Sequence, residues 1–235
     1  MVMNNVLVTG SSAGIGLAIA QHFENSGHRV FKTGRREIPD SGANYFRADL
    51  KNSNEIAELY EAAFRYLGGI DILVNNAGEY LHREIERMAI GEITGMMSLN
   101  LIAPYYMTSL VVPGMKNRGR GRIINIGSIS GSVGEGHASL YSATKAGLMG
   151  MTKALALELA PYGITVNTIN PGWVKTDLVE HAGIFNEAEV LDTIPQRRFI
   201  EPIEIAKMIE YLVSDGARGV TGQSINLCAG LSVGC

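Results

Sequence analysis

Short apolar runs alternate along this chain with longer stretches of helical period. The runs Asn5–Thr9, Arg29–Thr33, Asn44–Arg47, Ile70–Asn75, Arg122–Ile126, Thr165–Ile169 and Gln223–Leu227 are mostly continuously apolar at their centres. That pattern fits strands covered on both faces, as in a parallel sheet. Between them apolar residues return every three or four positions: Ile15, Ile19 and Phe23; Leu148, Met151, Leu155 and Leu159; Ile205, Met208, Ile209 and Leu212. Such spacing predicts amphipathic helices. The alternation predicts a doubly wound α/β fold with helices on both faces of a parallel sheet. No linker, repeat or low-complexity run interrupts it, so one domain over residues 1–235 is expected. Only nine residues, Arg35–Ala43, join the second and third runs, Pro39 and Gly42 among them. A parallel crossover usually needs a dozen or more. The helix there is expected to be missing or reduced to a turn.

Composition narrows the class. The chain is 46% hydrophobic and 18% charged, too apolar for disorder. A net charge of −3 gives no electrostatic footprint for nucleic acid. The two cysteines, Cys228 and Cys235, exclude a disulfide framework and suit a reducing compartment. Met1–Asn5 carries no basic residue, and no window reaches 18 uninterrupted apolar residues. Neither a signal peptide nor a membrane span is expected, and the location reads as cytoplasmic. Histidines 22, 28, 82, 137 and 181 show no ligand spacing with the cysteines, so no metal site is expected. His82 and Glu86 read as an exposed pair one helical turn apart. The number out of line is glycine, at 28 of 235.

Several of those glycines cluster where chemistry is expected. The first strand runs into Gly10-Ser11-Ser12-Ala13-Gly14-Ile15-Gly16 and then a helical pattern. Glycines let a backbone turn tightly, and a helix N-terminus favours a pyrophosphate. An ordinary strand–helix turn is the plain alternative. Further on, Tyr141 and Lys145 stand at i and i+4, on one helix face. A phenol titrates near pH ~10, and a nearby ammonium lowers that value, making a general acid/base. Thirteen residues upstream of Tyr141, Ser128 follows a strand and is expected to point into the crevice at the sheet's carboxyl edge.

These motifs, in this order, resemble the short-chain dehydrogenase/reductase family, from Val6 to Gly230. Thr9-Gly10-x3-Gly14-Ile15-Gly16 is similar to its cofactor loop, and Asp49-Leu50 to its adenine-contacting pair. Asn75-Asn76-Ala77-Gly78 matches a strand end, Asn100 a helix asparagine, and Pro171-Gly172-Trp173-Val174-Lys175-Thr176 the nicotinamide segment. The resemblance implies a seven-stranded Rossmann sheet of order 3-2-1-4-5-6-7 and hydride transfer between carbonyl and secondary alcohol. It casts Tyr141 as acid/base and Ser128 as the hydrogen-bonder of the reacting oxygen. Lys145 would lower the tyrosine pKa and hold the ribose, and Asn100 would support a water.

A dinucleotide fold selecting NAD usually ends its second strand on an acid. Here that position aligns with Gly34, followed by Arg35 and Arg36, and an arginine can fork onto a 2′-phosphate. Ser11 or Ser12 can add a hydroxyl. NADP(H) is therefore favoured over NAD(H); Glu37 as a ribose acid, or a merely solvated arginine pair, is the alternative.

The family's substrate loop maps to 178–198, with Gly183 and a capping pair, Asn186 and Glu189. Trp173 reads as pocket-lining or core, Glu79 as a surface carboxylate and His137 as a loop histidine. Ile194-Pro195-x-x-Arg197 and Thr221-Gly222-Gln223 point to the 3-oxoacyl-thioester reductase branch. NAD-linked alcohol, polyol or sugar dehydrogenases stay open, as does a non-enzymatic redox sensor. Arg118, Arg120 and Arg122 read as a basic loop, solvated or facing an acidic carrier protein, although Tyr162 stands where a carrier-binding enzyme has a basic residue. A homotetramer or homodimer is expected, pairing the helices after Glu92 and Ser139, with 96–112 and the tail 228–235 at the contacts. Cys228-Ala229-Gly230 replaces the family's Asp-Gly-Gly.

Overall fold

A computed structural model of the chain describes residues 3–38, 42–175 and 187–233. Seven strands, β1 (Asn5–Val8), β2 (Arg29–Gly34), β3 (Tyr45–Arg47), β4 (Ile72–Asn75), β5 (Gly121–Ile126), β6 (Ile164–Pro171) and β7 (Ser224–Leu227), form one sheet. Their order is β3-β2-β1-β4-β5-β6-β7 and every pairing is parallel. The expected topology is the one observed.

Alternation along the strands builds two cores. Val6 and Val8 on β1, Ile72 and Val74 on β4, and Ile124 and Ile126 on β5 face α1 (Gly14–Asn25) and the C-terminal helix Pro202–Val213. Leu7, Leu73, Ile123 and Val166 face the other way, onto α2 (Ser53–Leu67), α4 (Ala103–Arg118) and the end of α6 (Ser139–Leu159). Both faces are dry, so the central strands read as unbroken apolar runs. Among the described residues the other α-helices are α3 (Ile90–Met97), the single turn α5 (Ser130–Val133), α7 (Glu187–Thr193) and α8, the Pro202–Val213 helix already named.

Polar side chains cross the middle of the sheet and are matched to one another. Asn75 Nδ2 donates to Asn125 Oδ1 (2.9 Å) and to Thr108 Oγ1 (3.2 Å). Asn125 Nδ2 donates to Thr152 Oγ1 (2.8 Å), which lies 2.7 Å from Thr168 Oγ1. The chain of contacts links α4, β4, β5, α6 and β6.

No helix joins β2 to β3 among the described residues. Two β3 side chains hold the connection instead: Tyr45 Oη donates to the Arg36 carbonyl (2.6 Å) and Arg47 Nε to that of Arg35 (3.0 Å). The basic loop is corrected. Arg118 donates to the Ile70 carbonyl and pairs with Asp71, Arg120 pairs with Asp215, and Arg122 is buried in β5. The His82–Glu86 pair is corrected as well: that segment is not α-helical, and the His82 ring instead packs at a tilt against His137, 5.1 Å between ring centroids. No described helix is long and apolar enough to cross a membrane.

Ser11 also departs from expectation. It is buried, and its Oγ donates to the Val8 (3.0 Å) or Thr33 (3.3 Å) carbonyl while accepting from Thr33 N (3.0 Å). It staples β1 to β2 and has no hydroxyl left for a ligand. Ser11→Ala removes the hydroxyl's bonds to the Val8 and Thr33 backbone, while the Thr33 N–H keeps its place in the β1–β2 ladder, so urea unfolding should show a loss of about 0.5–1.5 kcal/mol. An unchanged midpoint would mean the staple contributes nothing.

Candidate active site

The carboxyl ends of β1, β4, β5 and β6 meet the N-termini of α1 and α6 along one edge of the sheet. After β1 the chain turns through Gly10, at φ 65°. Helix α1 opens with Ala13 as N-cap and no side-chain cap. Its first N–H groups are thus free to meet an anion. A Cβ on Gly16 would fall 2.3 Å from the Gly10 carbonyl oxygen and 2.4 Å from Asn76 Nδ2, so only glycine lets helix and loop close. Asn76 Nδ2 donates to the Thr9 and Gly10 carbonyls, and Thr9 Oγ1 accepts from the Asn76 and Ala77 amides. The Asn-Asn-Ala-Gly strand end braces the loop. A Cβ added to Gly78 would lie 3.3 Å from Asn100 Oδ1 and 3.6 Å from Lys145 Nζ. This bare cradle fits a dinucleotide.

At the end of β2, a Cβ on Gly34 would come within 2.5 Å of Ser12 Oγ, so an acidic side chain has no room there. Arg35 and Arg36 are exposed. Arg47, not singled out from the sequence, reaches the same turn through its bond to Arg35. Leu50 is buried, and Asp49 Oδ1 accepts from the Lys51 amide just before α2. On the opposite side Gly172 lies against Cys228, with 2.9 Å from an added Cβ to Cys228 Cβ. Pro171 closes β6, and Val174 bridges to Ile200. Trp173 is partly buried against the α1–α8 core. Thr176, Gly183, Asn186 and Cys235 lie outside the described residues, as does the first part of the substrate loop, residues 178–186.

Ser128, Tyr141 and Lys145 converge. The Ser128 hydroxyl lies close enough to the Tyr141 phenol to favour its ionised form, and its own hydrogen bond in the structure runs to Ser130 Oγ (3.1 Å). Lys145, buried, donates from Nζ to the Ile126 carbonyl (2.8 Å) and lies 5.5 Å from the Tyr141 ring centroid. Asn100 sits in a π-helical turn, Ser98–Ile102, between α3 and α4. Its Nδ2 donates to the Glu79 carbonyl and Thr144 Oγ1, and its Oδ1 accepts from the Glu79 amide. Glu79 itself pairs with Lys51 (2.8 Å). His137 is exposed on a loop, as expected.

Electrostatics corrects one expectation. Burial pushes the Tyr141 phenol up to about 12; the Ser128 hydroxyl pulls it down and the Glu135 charge pushes it up. Burial likewise brings Lys145 down to about 8. The expected lowering of the phenol by Lys145 is not seen: desolvation dominates the shift, and the ammonium binds the Ile126 carbonyl. A neutral phenol beside a serine hydroxyl is a proton donor aimed at an oxygen. The sequence did not reveal Glu135, Ser130 and Tyr80. Ser130 and Tyr80 both donate to Glu135, and the Tyr80 ring meets Tyr141 edge-on at 5.0 Å. Their only signal was position, two and seven residues past Ser128 and two past Gly78.

Residues 10–232 match the family model described as enoyl-(acyl carrier protein) reductase. The chain belongs to the short-chain dehydrogenase/reductase family. A Streptomyces violaceoruber protein named for ketoacyl reduction in the granaticin polyketide synthase is 40% identical, covering 96% of this chain and 92% of its own. The 3-oxoacyl-[acyl-carrier-protein] reductase FabG of Vibrio cholerae is 35% identical, covering 96% of both. A variant of actinorhodin polyketide ketoreductase, solved with NADPH, superposes with a TM-score of 0.91 at 35% identity, covering 98% of each chain.

The buried lysine makes stability depend on pH. With its pKa lowered in the folded state, the unfolded chain binds more protons between pH about 8 and 10.5, so stability rises with pH there. Tyr141, raised in the folded state, acts oppositely above pH 10. Denaturation of wild type against Lys145→Met should show a stability difference that moves in favour of wild type from pH 8 to 10. A difference that stays flat would contradict the burial assigned to the ammonium.

Proposed function

We propose that this protein uses NADPH to reduce a ketone to a secondary alcohol, and that 3-oxoacyl thioesters are its substrate class. The observation that carries the reading is the buried Tyr141 phenol beside the Ser128 hydroxyl, with Lys145 Nζ 5.5 Å from its ring centroid. The names of its relatives support the substrate class, and the NADPH of its structural neighbour supports the cofactor.

The residues divide the work. Gly10, Ser12, Gly14, Ile15 and Gly16 would hold the diphosphate. Arg35 and Arg36 would take the 2′-phosphate, a planar fork suited to it. Asp49 and Leu50 would meet the adenine, and Asn76, Ala77 and Gly78 would line the path to the ribose. Pro171, Gly172, Val174 and Thr176 would flank the nicotinamide. The bound cofactor supplies hydride. Ser128 Oγ holds the substrate oxygen, and Tyr141 Oη gives it a proton. The Lys145 cation stabilises the tyrosinate left behind and holds the ribose hydroxyls. Reprotonation runs from solvent through a water supported by Asn100.

One domain, 1–235, would carry both cofactor and substrate in the cytoplasm. A homotetramer is the assembly we infer. Tyr105 on α4 and Leu157 on α6 are exposed at 60% and 81%, and a groove of mixed apolar and polar lining, with Tyr105, Val112 and Leu155 in its wall, lies between these helices. Burying such faces against a second copy is a common route to closed oligomers.

Tyr141→Phe should keep its NADPH dissociation constant, read by cofactor fluorescence, and lose ~10²–10⁴-fold in turnover of an acetoacetyl thioester. Wild-type turnover by this variant would overturn the acid assignment. Arg35→Ala should weaken NADPH binding at least ~10-fold and leave NADH within about twofold. Equal losses for the two would remove the case for NADPH.

A further inference from the structure

Glu135 takes no part in the reaction described above, yet it borders the reacting atoms. Its Oε2 accepts from Ser130 Oγ (2.7 Å) and its Oε1 from Tyr80 Oη (2.5 Å). Ser130 Oγ lies 3.1 Å from Ser128 Oγ, and Tyr80 packs edge-on to Tyr141. The carboxylate therefore stands two hydrogen bonds from the hydroxyl that would hold the substrate oxygen. Nearby cations are engaged elsewhere. Lys51 pairs with Glu79, and Arg83, whose amide binds the His137 carbonyl, pairs with Glu92. Lys145 is turned onto the Ile126 carbonyl. Among the described residues, no lysine, arginine or histidine forms an ion pair with Glu135.

We infer that Glu135 is a specificity-determining residue: its uncompensated charge makes the pocket take neutral 3-oxo compounds, such as thioesters, and reject free 3-oxo acids. In a 3-oxo acid the carboxylate sits two carbons from the ketone. With the ketone oxygen between Ser128 and Tyr141, that carboxylate is brought close to Glu135. Two like charges at such range repel strongly where the surroundings are partly dry, and salt screens them less than on an open surface. A thioester carbonyl at the same place carries no charge. Selection against the wrong substrate by a repulsive group is a recurrent device. Lys145 attracts an anion equally in wild type and in a Glu135 variant, so it does not blur the comparison. The inference deepens the reductase reading and rests on it for the placement of the ketone.

The test compares kcat/KM for acetoacetyl-N-acetylcysteamine thioester and for acetoacetate, with NADPH, in wild type, Glu135→Gln and Glu135→Asp. Wild type should prefer the thioester. Glu135→Gln should shrink that preference at least ~10-fold, chiefly by improving the acid, whereas Glu135→Asp should keep it. A residue needed only for folding would change both substrates alike, and that result, or an unchanged preference, overturns the inference. Should Glu135→Gln fail to fold, wild type still decides the matter. Raising salt from 0.05 to ~0.5 M should favour the acid relative to the thioester, and no change would contradict a charge effect. Calorimetry separates the two readings. If wild type binds the thioester over the acid in the presence of NADPH but turns over neither, the reductase reading fails and the selectivity stands.

Discussion

A run of buried hydrogen bonds fixes this active site. It passes from Thr108 on α4 through Asn75 on β4, Asn125 on β5 and Thr152 on α6 to Thr168 on β6. Each of these groups, left without its partner, would cost about 1–3 kcal/mol in the dry interior. Apolar packing alone would let helices slide against the sheet; the matched amides and hydroxyls permit one register. Helix α6 is thereby set so that Tyr141 and Lys145 overhang the end of β5, where Ser128 begins. The bond from Lys145 to the Ile126 carbonyl repeats the same logic at the site itself. Helix α4 follows the π-helical turn that carries Asn100, and Asn100 holds the Gly78–Glu79 segment facing Lys145.

Burial also sets the chemical character of the pocket. Desolvation keeps the phenol protonated and weakens the ammonium, so the resting site is closer to neutral than a bare Tyr–Lys pair would suggest. Charge enters instead from the rim, at Glu135. At the far end of the crevice no helix covers Arg35 and Arg36 among the described residues; both are exposed, with Tyr45 and Arg47 holding their backbone. Ser12 occupies the space that an acidic side chain at position 34 would need. One end of the crevice thus presents cations and the other a carboxylate, as suits a phosphorylated cofactor and an uncharged substrate.

The strands were legible because a sheet covered on both faces demands unbroken apolar runs, and those runs fall within a residue or two of the observed limits. Their order was not in the pattern; it came with the resemblance. Ser128, Tyr141 and Lys145 were legible because two of them share a helix face and the third ends a strand. Glu135 and Tyr80 were not, since 55 residues separate them and only the fold brings them together. The same holds for Arg118, Arg120 and Arg122, which look like a free basic loop until Asp71 and Asp215 arrive from distant segments. The direction of the Tyr141 shift was misjudged for a related reason. Spacing reports a neighbouring charge, whereas desolvation depends on everything else that closes over the ring. Ser11, read as a ligand contact from its place in the loop, is claimed by β2 across 22 residues.

The most direct measurement is a crystal structure of the protein with the oxidised dinucleotide and an unreactive 3-oxoacyl ligand. The ligand's ketone oxygen should lie within hydrogen-bond distance of both Tyr141 Oη and Ser128 Oγ, with Lys145 Nζ against the ribose hydroxyls. A ketone oxygen held by other groups, with Tyr141 turned away from it, would contradict the role of Tyr141 as proton donor.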